Sequence, residues 1–131
     1  MPLQSSPGGH APQTPDIHDL YRVQKEADKL SQQLLEMTDD RAAAAHILEY
    51  DGDRRKRALA ESVLSAFKAG ANSSAHAEHI ARASDAYGAA ITQLGREYAA
   101  AEQTRKRAEG IQIRLDVLRS IMSNERKALD L

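Results

Sequence analysis

The chain has 131 residues and a formal net charge of −1, which is enough for one domain and excludes two independent cores. It contains one Phe, four Tyr and no Trp, so its composition favours long helices that touch along narrow seams over a compact globular core. Cysteine is absent, which excludes disulfides and thiolate chemistry and fits an expected location in a reducing cytoplasm.

The charge is distributed unevenly along the chain. Residues 1–53 hold four basic and ten acidic side chains, a net charge of −6, whereas residues 54–131 hold fourteen basic and nine acidic, a net charge of +5. Such a split indicates either an electrostatic partner or attraction between the two halves, within one chain or between subunits.

The first fifteen residues differ in composition from the rest of the chain. They contain all four prolines, together with Gly, Ser and Gln, and we predict a disordered tail over 1–15. The segment lacks a basic start and an apolar stretch, so we do not expect a signal peptide. No apolar run approaches the roughly 20 residues of a membrane span, and no membrane partner is expected. A single helical coiled-coil domain is predicted over 16–131.

The first predicted helix starts near Thr14 and Pro15, which suit an N-cap and a first helical position. Its apolar positions then alternate in steps of three and four: Leu20, Val23, Ala27, Leu30, Leu34, Met37, Arg41, Ala44 and Leu48. This spacing predicts a coiled-coil helix. We expect the helix to break at Asp51-Gly52-Asp53, because the next position of the seam would be Arg55.

A shorter second helix is predicted from about Arg54 to Ala69, with Gly70 as its C-terminal cap. Residues 70–74 indicate a loop, and the stretch AHAEHIARA (75–83) indicates a brief helical turn. Ser84 and Asp85 are then suited to cap the start of the next helix.

The last predicted helix runs from about Asp85 to Ala128. Its first seam consists of Tyr87, Ile91, Leu94, Tyr98, Ala101, Arg105 and Ala108, and a displaced stripe follows at Ile111, Leu115, Leu118, Met122 and Leu129. Two three-residue steps meet at Ala108, beside Gly110, and such a stammer locally overwinds a coiled coil.

The predicted fold is therefore all-α: a long antiparallel helical hairpin or coiled-coil bundle with a short middle helix. Two long helices joined through a short one do not cover their apolar stripes alone, so we expect a homo-oligomer. The predicted oligomerisation seam comprises Leu20, Val23, Leu30, Leu34, Met37, Leu48, Tyr87, Ile91, Leu94, Tyr98, Ile111, Leu115, Leu118 and Met122.

Two dense basic clusters are candidates for nucleic-acid binding, since Lys and Arg neutralise phosphates. The predicted contacts are Arg54, Arg55, Lys56, Arg57, Lys68, Arg105, Lys106 and Arg107. Tyr50 and Phe67 are placed to stack on unpaired bases. The alternative is a mixed-charge helix surface, because Glu61, Glu97 and other acidic residues are interleaved with the basic ones.

Other constellations give weaker signals. Arg41 and Arg105 occupy seam positions, where they either specify register or extend to the rim, and we favour the second interpretation. His76 and His79 lack a third ligand, so no metal site is predicted. No nucleophile elbow or phosphate-binding glycine loop is present, and we expect neither an enzyme nor a cofactor.

The layout of residues 16–125 resembles the UvsY-like recombination mediators of tailed phages. A long N-terminal helix leads to a basic segment, RRKRALAESVLSAFKAG (54–70), then a small-residue turn, RASDAY (82–87), and a final helix that includes AEGIQIRLDVLRSIMSNE (108–125). The resemblance implies an oligomer that binds single-stranded DNA and contacts both a recombinase and a single-strand-binding protein. It also implies that residues 54–57 contact the DNA and that the last helix assembles the oligomer.

Two functional hypotheses follow. The first is a non-enzymatic accessory protein of DNA recombination or replication, which binds single-stranded DNA in the cytoplasm of a phage host. The alternative is a coiled-coil interaction protein, either a phage structural or scaffold component or an inhibitor that docks on another protein, because an unmatched apolar stripe also recruits a partner. A third possibility, a metal-binding or enzymatic bundle, requires a metal at His76 and His79.

Overall fold

A computed structural model describes residues 17–130, and four helices account for nearly all of them. The helices are α1 (Ile17–Glu36), α2 (Thr38–Lys68), α3 (Ser74–Ala83) and α4 (Asp85–Leu129). No strand occurs within the described residues, so the prediction of an all-α fold with long helices that pack together is confirmed. The predicted disordered tail over 1–15 lies outside the described residues.

The first helix ends earlier than the heptad pattern predicts. α1 stops at Glu36, Met37 forms a turn, and α2 begins at Thr38. The sequence after Met37 is Thr-Asp-Asp, and acidic side chains in a first turn stabilise a new helix N-terminus. Met37 is nevertheless buried, so the apolar spacing continues across the turn at which the helical backbone is interrupted.

The predicted break at Asp51-Gly52-Asp53 is wrong, because α2 continues through it for a total of 31 residues. The Nε atom of Arg55 donates to Oδ2 of Asp51 at 2.8 Å, one helical turn away. Both side chains are partly buried. A polar pair therefore occupies seam positions at the point where the sequence predicted the end of the seam. Gly52 costs about 1 kcal/mol relative to Ala, which is too little to end a packed helix of this length. The predicted second helix is therefore the C-terminal half of α2.

The end of α2 is a Schellman motif, and the predicted cap at Gly70 is confirmed. Gly70 has a φ of 107°, a conformation that glycine adopts without steric cost. Its N–H donates to the carbonyl of Phe67 at 3.1 Å, and the N–H of Ala71 donates to the carbonyl of Ala66 at 3.0 Å. These bonds satisfy carbonyl groups that the end of the helix would otherwise leave without partners.

Two serines define the boundaries of α3. Oγ of Ser73 accepts a hydrogen bond from the N–H of His76 at 3.1 Å and caps the start of α3. Oγ of Ser84 donates to the carbonyl of Ala81 at 2.7 Å and accepts from the N–H of Tyr87 at 3.2 Å. Ser84 thus ends α3 and caps α4, as the sequence predicted.

The chain forms two compact units, with boundaries at residues 35/36 and 109/110. The first unit contains α1 and the part of α4 from Gly110 onward. Its core consists of Ala27, Leu115, Leu118 and Met122, with Val23, Leu30 and Leu34 packed against it. Leucine and methionine from α4 supply most of the buried volume, and Leu115 and Leu118 are the largest fully buried side chains among the described residues.

The second unit contains α2, α3 and the first part of α4, up to residue 109. Alanine dominates its interior: the buried residues are Met37, Ala44, Ala66, Ala77, Ala81, Leu94, Ala101 and Ala108. Small side chains let helix backbones approach closely, which compensates for the scarcity of bulky residues. An ion pair between Arg54 and Glu97 joins α2 to α4 within this unit.

The buried stripe of α4 repeats every seven residues, at Leu94, Ala101, Ala108, Leu115 and Met122. The residues beside it change along the helix. Tyr98 and Arg105 are exposed in the first part of α4, whereas Leu118 is buried in the second part. The helix itself is continuous, and the register shift predicted beside Gly110 coincides with the boundary between the two units.

Candidate functional site

The predicted oligomerisation seam is largely covered by the chain itself. Of its fourteen residues, thirteen are buried or half-buried within one chain, and only Tyr98 is exposed. The exposed Arg105 fits the interpretation that its side chain extends to the rim. The predicted seam therefore leaves little apolar surface exposed.

A second apolar stripe runs along α4 outside the core. Ile113, Val117 and Ile121 are spaced by four residues and keep 64%, 45% and 38% of their surface exposed. At 100° per residue Ile113 and Val117 point away from Leu115 and Met122, which lie in the core, and Ile121 lies beside the core stripe. The seven residues on this side, here named the outer face of α4, are Gly110, Ile113, Val117, Ser120, Ile121, Asn124 and Ala128, and all are exposed.

The outer face of α4 carries no charged residue, although the segment 110–130 contains seven. Solvent-exposed helix faces are normally rich in charge, so an uncharged face about five turns long is unusual. Sequence reasoning missed this face because its residues are interleaved with the core stripe in the run IQIRLDVLRSIM. The available signal was a second set of β-branched residues at positions i, i+4 and i+8.

Two charged residues lie along one edge of the outer face. Arg114 donates from Nε and Nη2 to the carboxylate of Glu26, at 3.2 and 3.4 Å. Glu125 lies three turns further along on the same edge and is half-buried. It forms no ion pair within the part of the chain that the structure describes.

The first basic cluster is partly neutralised by the chain's own carboxylates. Arg54 forms an ion pair with Glu97 of α4, and Arg55 forms one with Asp51 of α2. The second oxygen of Asp51, Oδ1, is buried without a hydrogen-bond partner, which makes the positive charge of Arg55 important for the folded state. Two of the four residues that the resemblance assigns to DNA are therefore engaged within the chain.

The remaining predicted phosphate contacts also include both residues that form ion pairs within the chain and residues that do not. Arg105 pairs with Glu102 at 2.8 Å and lies 3.8 Å from Glu109. Five of the eight predicted phosphate contacts are exposed and form no ion pair among the described residues: Lys56, Arg57, Lys68, Lys106 and Arg107. These five are the cations that remain available to an anionic ligand.

Aromatic side chains share the exposed side of α2 with some of these cations. Tyr50 and Phe67 are both exposed, and the ring of Tyr50 lies 4.6 Å from that of His46. Asp53 and Glu61 lie on the same side of α2 as Arg57. The acidic residues offset the basic ones, so this side has little net positive charge.

A shallow open groove of 290 Å³ lies between α2 and α4 in the second unit. It is lined by Arg54, Arg57, Ala58, Glu61, Ala90, Gln93, Leu94 and Glu97. The lining combines apolar side chains with charged ones, and it includes the ion pair between Arg54 and Glu97. No Ser, His or Cys side chain lines the groove.

His76, the first histidine of α3, has local structural partners. Nδ1 of His76 lies 3.2 Å from Oδ1 of Asn72, and the backbone N–H of His76 is held by Ser73. Across residues 17–130, no three His, Cys, Asp or Glu side chains are grouped as a metal ion requires. None of the helices in this part of the chain combines the length and apolarity of a membrane span.

The chain matches no protein-family model, and it has no significant match among curated proteins or solved structures. The relationship to UvsY-like mediators therefore stays a prediction.

Proposed function

We propose that this protein is a non-enzymatic helical module for protein–protein interaction, with the outer face of α4 as its contact surface. The observation that carries the proposal is the exposure of Ile113, Val117 and Ile121 on a face without charge. Burial of exposed apolar area is the main driving force of association, at about 25 cal/mol per Å².

The mode of recognition is helix against helix. An amphipathic partner contacts apolar anchors at positions i, i+4 and i+8, and the β-branched side chains at these positions lose little conformational freedom on binding. Gly110 and Ala128 at the two ends of the face are small, so a partner helix can approach the backbone there.

A pull-down from the native host tests this proposal. The bait is the full chain, the test variant is Val117→Glu with Ile121→Glu, and the control is Leu64→Glu, which places a charge at an exposed leucine of α2. We expect a protein that the wild type and the Leu64 variant capture and that the α4 variant does not. Equal capture by all three baits contradicts the proposal.

A second candidate function is binding of single-stranded DNA, as in the mediator-like hypothesis with its recombinase and single-strand-binding partners. It is supported by the five exposed cations without ion pairs, together with the exposed rings of Tyr50 and Phe67. It is weakened by the carboxylates that already engage Arg54, Arg55 and Arg105.

Fluorescence anisotropy with labelled oligo-dT tests this second candidate. If all five cations contact phosphates, the logarithm of the binding constant falls with the logarithm of salt with a slope of about −3.5. The triple variant Lys56→Glu, Arg57→Glu, Lys68→Glu should lose binding. The variant Lys25→Glu, Lys29→Glu, Lys127→Glu has the same change in charge and should retain it. Absence of binding at low salt eliminates this candidate.

A further inference from the structure

We infer that the outer face of α4 docks on the same face of a second copy of this chain, with the two α4 helices antiparallel. This inference rests on the proposed function and names its partner. Thirteen of the fourteen residues of the predicted seam are buried or half-buried within each chain, so this seam offers little apolar surface to a second copy. The outer face is available without any rearrangement.

The shape of the face matches itself. Ile113, Val117 and Ile121 form a ridge at spacing i±4, and such a ridge packs against the i±3 rows of another helix at a crossing angle of about 20°, which keeps the two helices in contact along the face. In an antiparallel pair, Val117 of one copy lies beside Ile121 of the second copy. The two-fold symmetry of such a dimer makes this contact twice.

The charges on the edge of the face select the antiparallel direction. With Val117 opposite Ile121, position 114 of one copy faces position 124 of the second, which is one residue, or about 1.5 Å, from Glu125. Arg114 and Glu125 lie on the same edge of α4, and like edges meet in an antiparallel pair. In a parallel pair unlike edges meet, so Arg114 of one copy and Glu125 of the second would lie on opposite sides of the interface and form no pair.

Each chain leaves these two groups ready to pair. Arg114 uses Nε and Nη2 for Glu26, and a guanidinium has five N–H donors, so further N–H groups remain for Glu125 of the second copy. Glu125 is half-buried and has no ion pair among the described residues of its own chain. Dimerisation would therefore form two Arg114–Glu125 pairs across the interface.

The surface area buried between the two copies determines the expected affinity of the dimer. From Gly110 to Ala128 the face is roughly 27 Å long at 1.5 Å per residue. A helix pair of this length buries on the order of 1,000 Å² in total, which is the lower end for a specific interface. We expect a reversible dimer with a dissociation constant in the micromolar range.

Sedimentation equilibrium of the full chain from low micromolar to several hundred micromolar tests the inference. The wild type and Leu64→Glu should show the same monomer–dimer equilibrium, and Val117→Glu should weaken it at least about tenfold, since a charge would be buried against Ile121. A wild type that stays monomeric throughout, or equal effects of the two variants, overturns the inference. Circular dichroism of Val117→Glu verifies that the helices remain.

A charge exchange tests the register, and circular dichroism of each variant verifies folding because Arg114 also pairs with Glu26 within the chain. Arg114→Glu should weaken the dimer about threefold to tenfold, because it would place two carboxylates side by side. The double variant Arg114→Glu, Glu125→Arg should restore most of the wild-type affinity. Failure of the double variant to recover overturns the proposed register.

Disulfide trapping tests the direction, because the chain has no cysteine of its own. An oxidised mixture of the Val117→Cys and Ile121→Cys chains should yield mainly the mixed disulfide, which mass spectrometry separates from the two self-pairs. Predominant self-pairs would indicate a parallel dimer and overturn the inference.

Failure of the self-docking inference and failure of the proposed function give different results in the two experiments. A monomeric wild type whose captured partner is still lost with the Val117→Glu, Ile121→Glu bait overturns self-docking and leaves the proposed function standing. A dimer lost with Val117→Glu supports self-docking whatever the pull-down captures.

Discussion

Arg55 donates through Nε to Oδ2 of Asp51 at 2.8 Å, and both residues lie on the half-buried side of α2 where the heptad pattern calls for apolar side chains. This pair explains why α2 continues past residue 51. It also removes one guanidinium from the cluster that the sequence suggested for phosphate binding.

We predict that Arg55→Ala destabilises the protein by about 1 kcal/mol, because it leaves the partly buried carboxylate of Asp51 without its partner. The control is Arg82→Ala, which removes an exposed pair with Glu78 at the same spacing and should cost about 0.3–0.5 kcal/mol. Urea unfolding followed by circular dichroism gives both values. Equal costs would mean that the pair with Asp51 has no special role.

Replacing both partners should have the opposite effect. Asp51→Leu with Arg55→Leu restores the apolar seam of α2, and apolar substitution of a buried ion pair is often neutral or stabilising by about 1–4 kcal/mol. We expect the double variant to unfold at a urea concentration at least as high as the wild type. A lower midpoint would show that α2 needs the charges at these positions.

Two glycines should respond in opposite directions to alanine. Gly52 lies within α2, and a Cβ there would meet no atom within 4 Å, so Gly52→Ala should stabilise the protein by about 1 kcal/mol. Gly70 has a φ of 107°, so Gly70→Ala should destabilise it by about 1 kcal/mol. Thermal unfolding of the two variants measures the difference, and shifts of the same sign would contradict the cap assignment.

The Ser84 hydroxyl should contribute more to the stability of the folded chain than its exposure suggests, because it forms hydrogen bonds to both α3 and α4. We predict that Ser84→Ala costs about 1 kcal/mol. Ser65→Ala, an exposed site within α2, should change stability by less than about 0.5 kcal/mol. Hydrogen exchange should also accelerate in the first turn of α4 only for the Ser84 variant.

The two sides of α4 should differ in their effect on folding. Leu118→Ala removes a fully buried side chain and should cost about 2–5 kcal/mol. Ile113→Ala removes a largely exposed one and should cost less than about 1 kcal/mol in the monomer. Unfolding measured at low protein concentration separates folding from association, and a large cost at Ile113 would assign the outer face to the core.

Local signals in the sequence predicted much of the fold. The seven-residue spacing predicted the helical character of the chain, and Gly70 and Ser84 marked the ends of α2 and α3 because each acts through hydrogen bonds to residues a few positions away. The turn at Met37 was missed because its side chain keeps the apolar spacing while the backbone breaks. The helix break expected at Gly52 does not occur, because the ion pair between Asp51 and Arg55 offsets the small loss of helix stability that a glycine causes.

The candidate sites depended on information that the sequence does not carry locally. The pairing of Arg54 with Glu97 joins residues 43 positions apart and follows from the alignment of α2 with α4. The outer face was hidden for a similar reason, because only the packing of α1 on α4 decides which of two interleaved stripes is buried.

Methyl NMR of the full chain over a concentration series observes contact at the outer face of α4 residue by residue. The methyl signals of Ile113, Val117 and Ile121 should shift progressively as the protein is concentrated, while those of Leu64 stay unchanged. Shifts confined to α2, or an outer face of α4 that is insensitive to concentration, would contradict contact at this face.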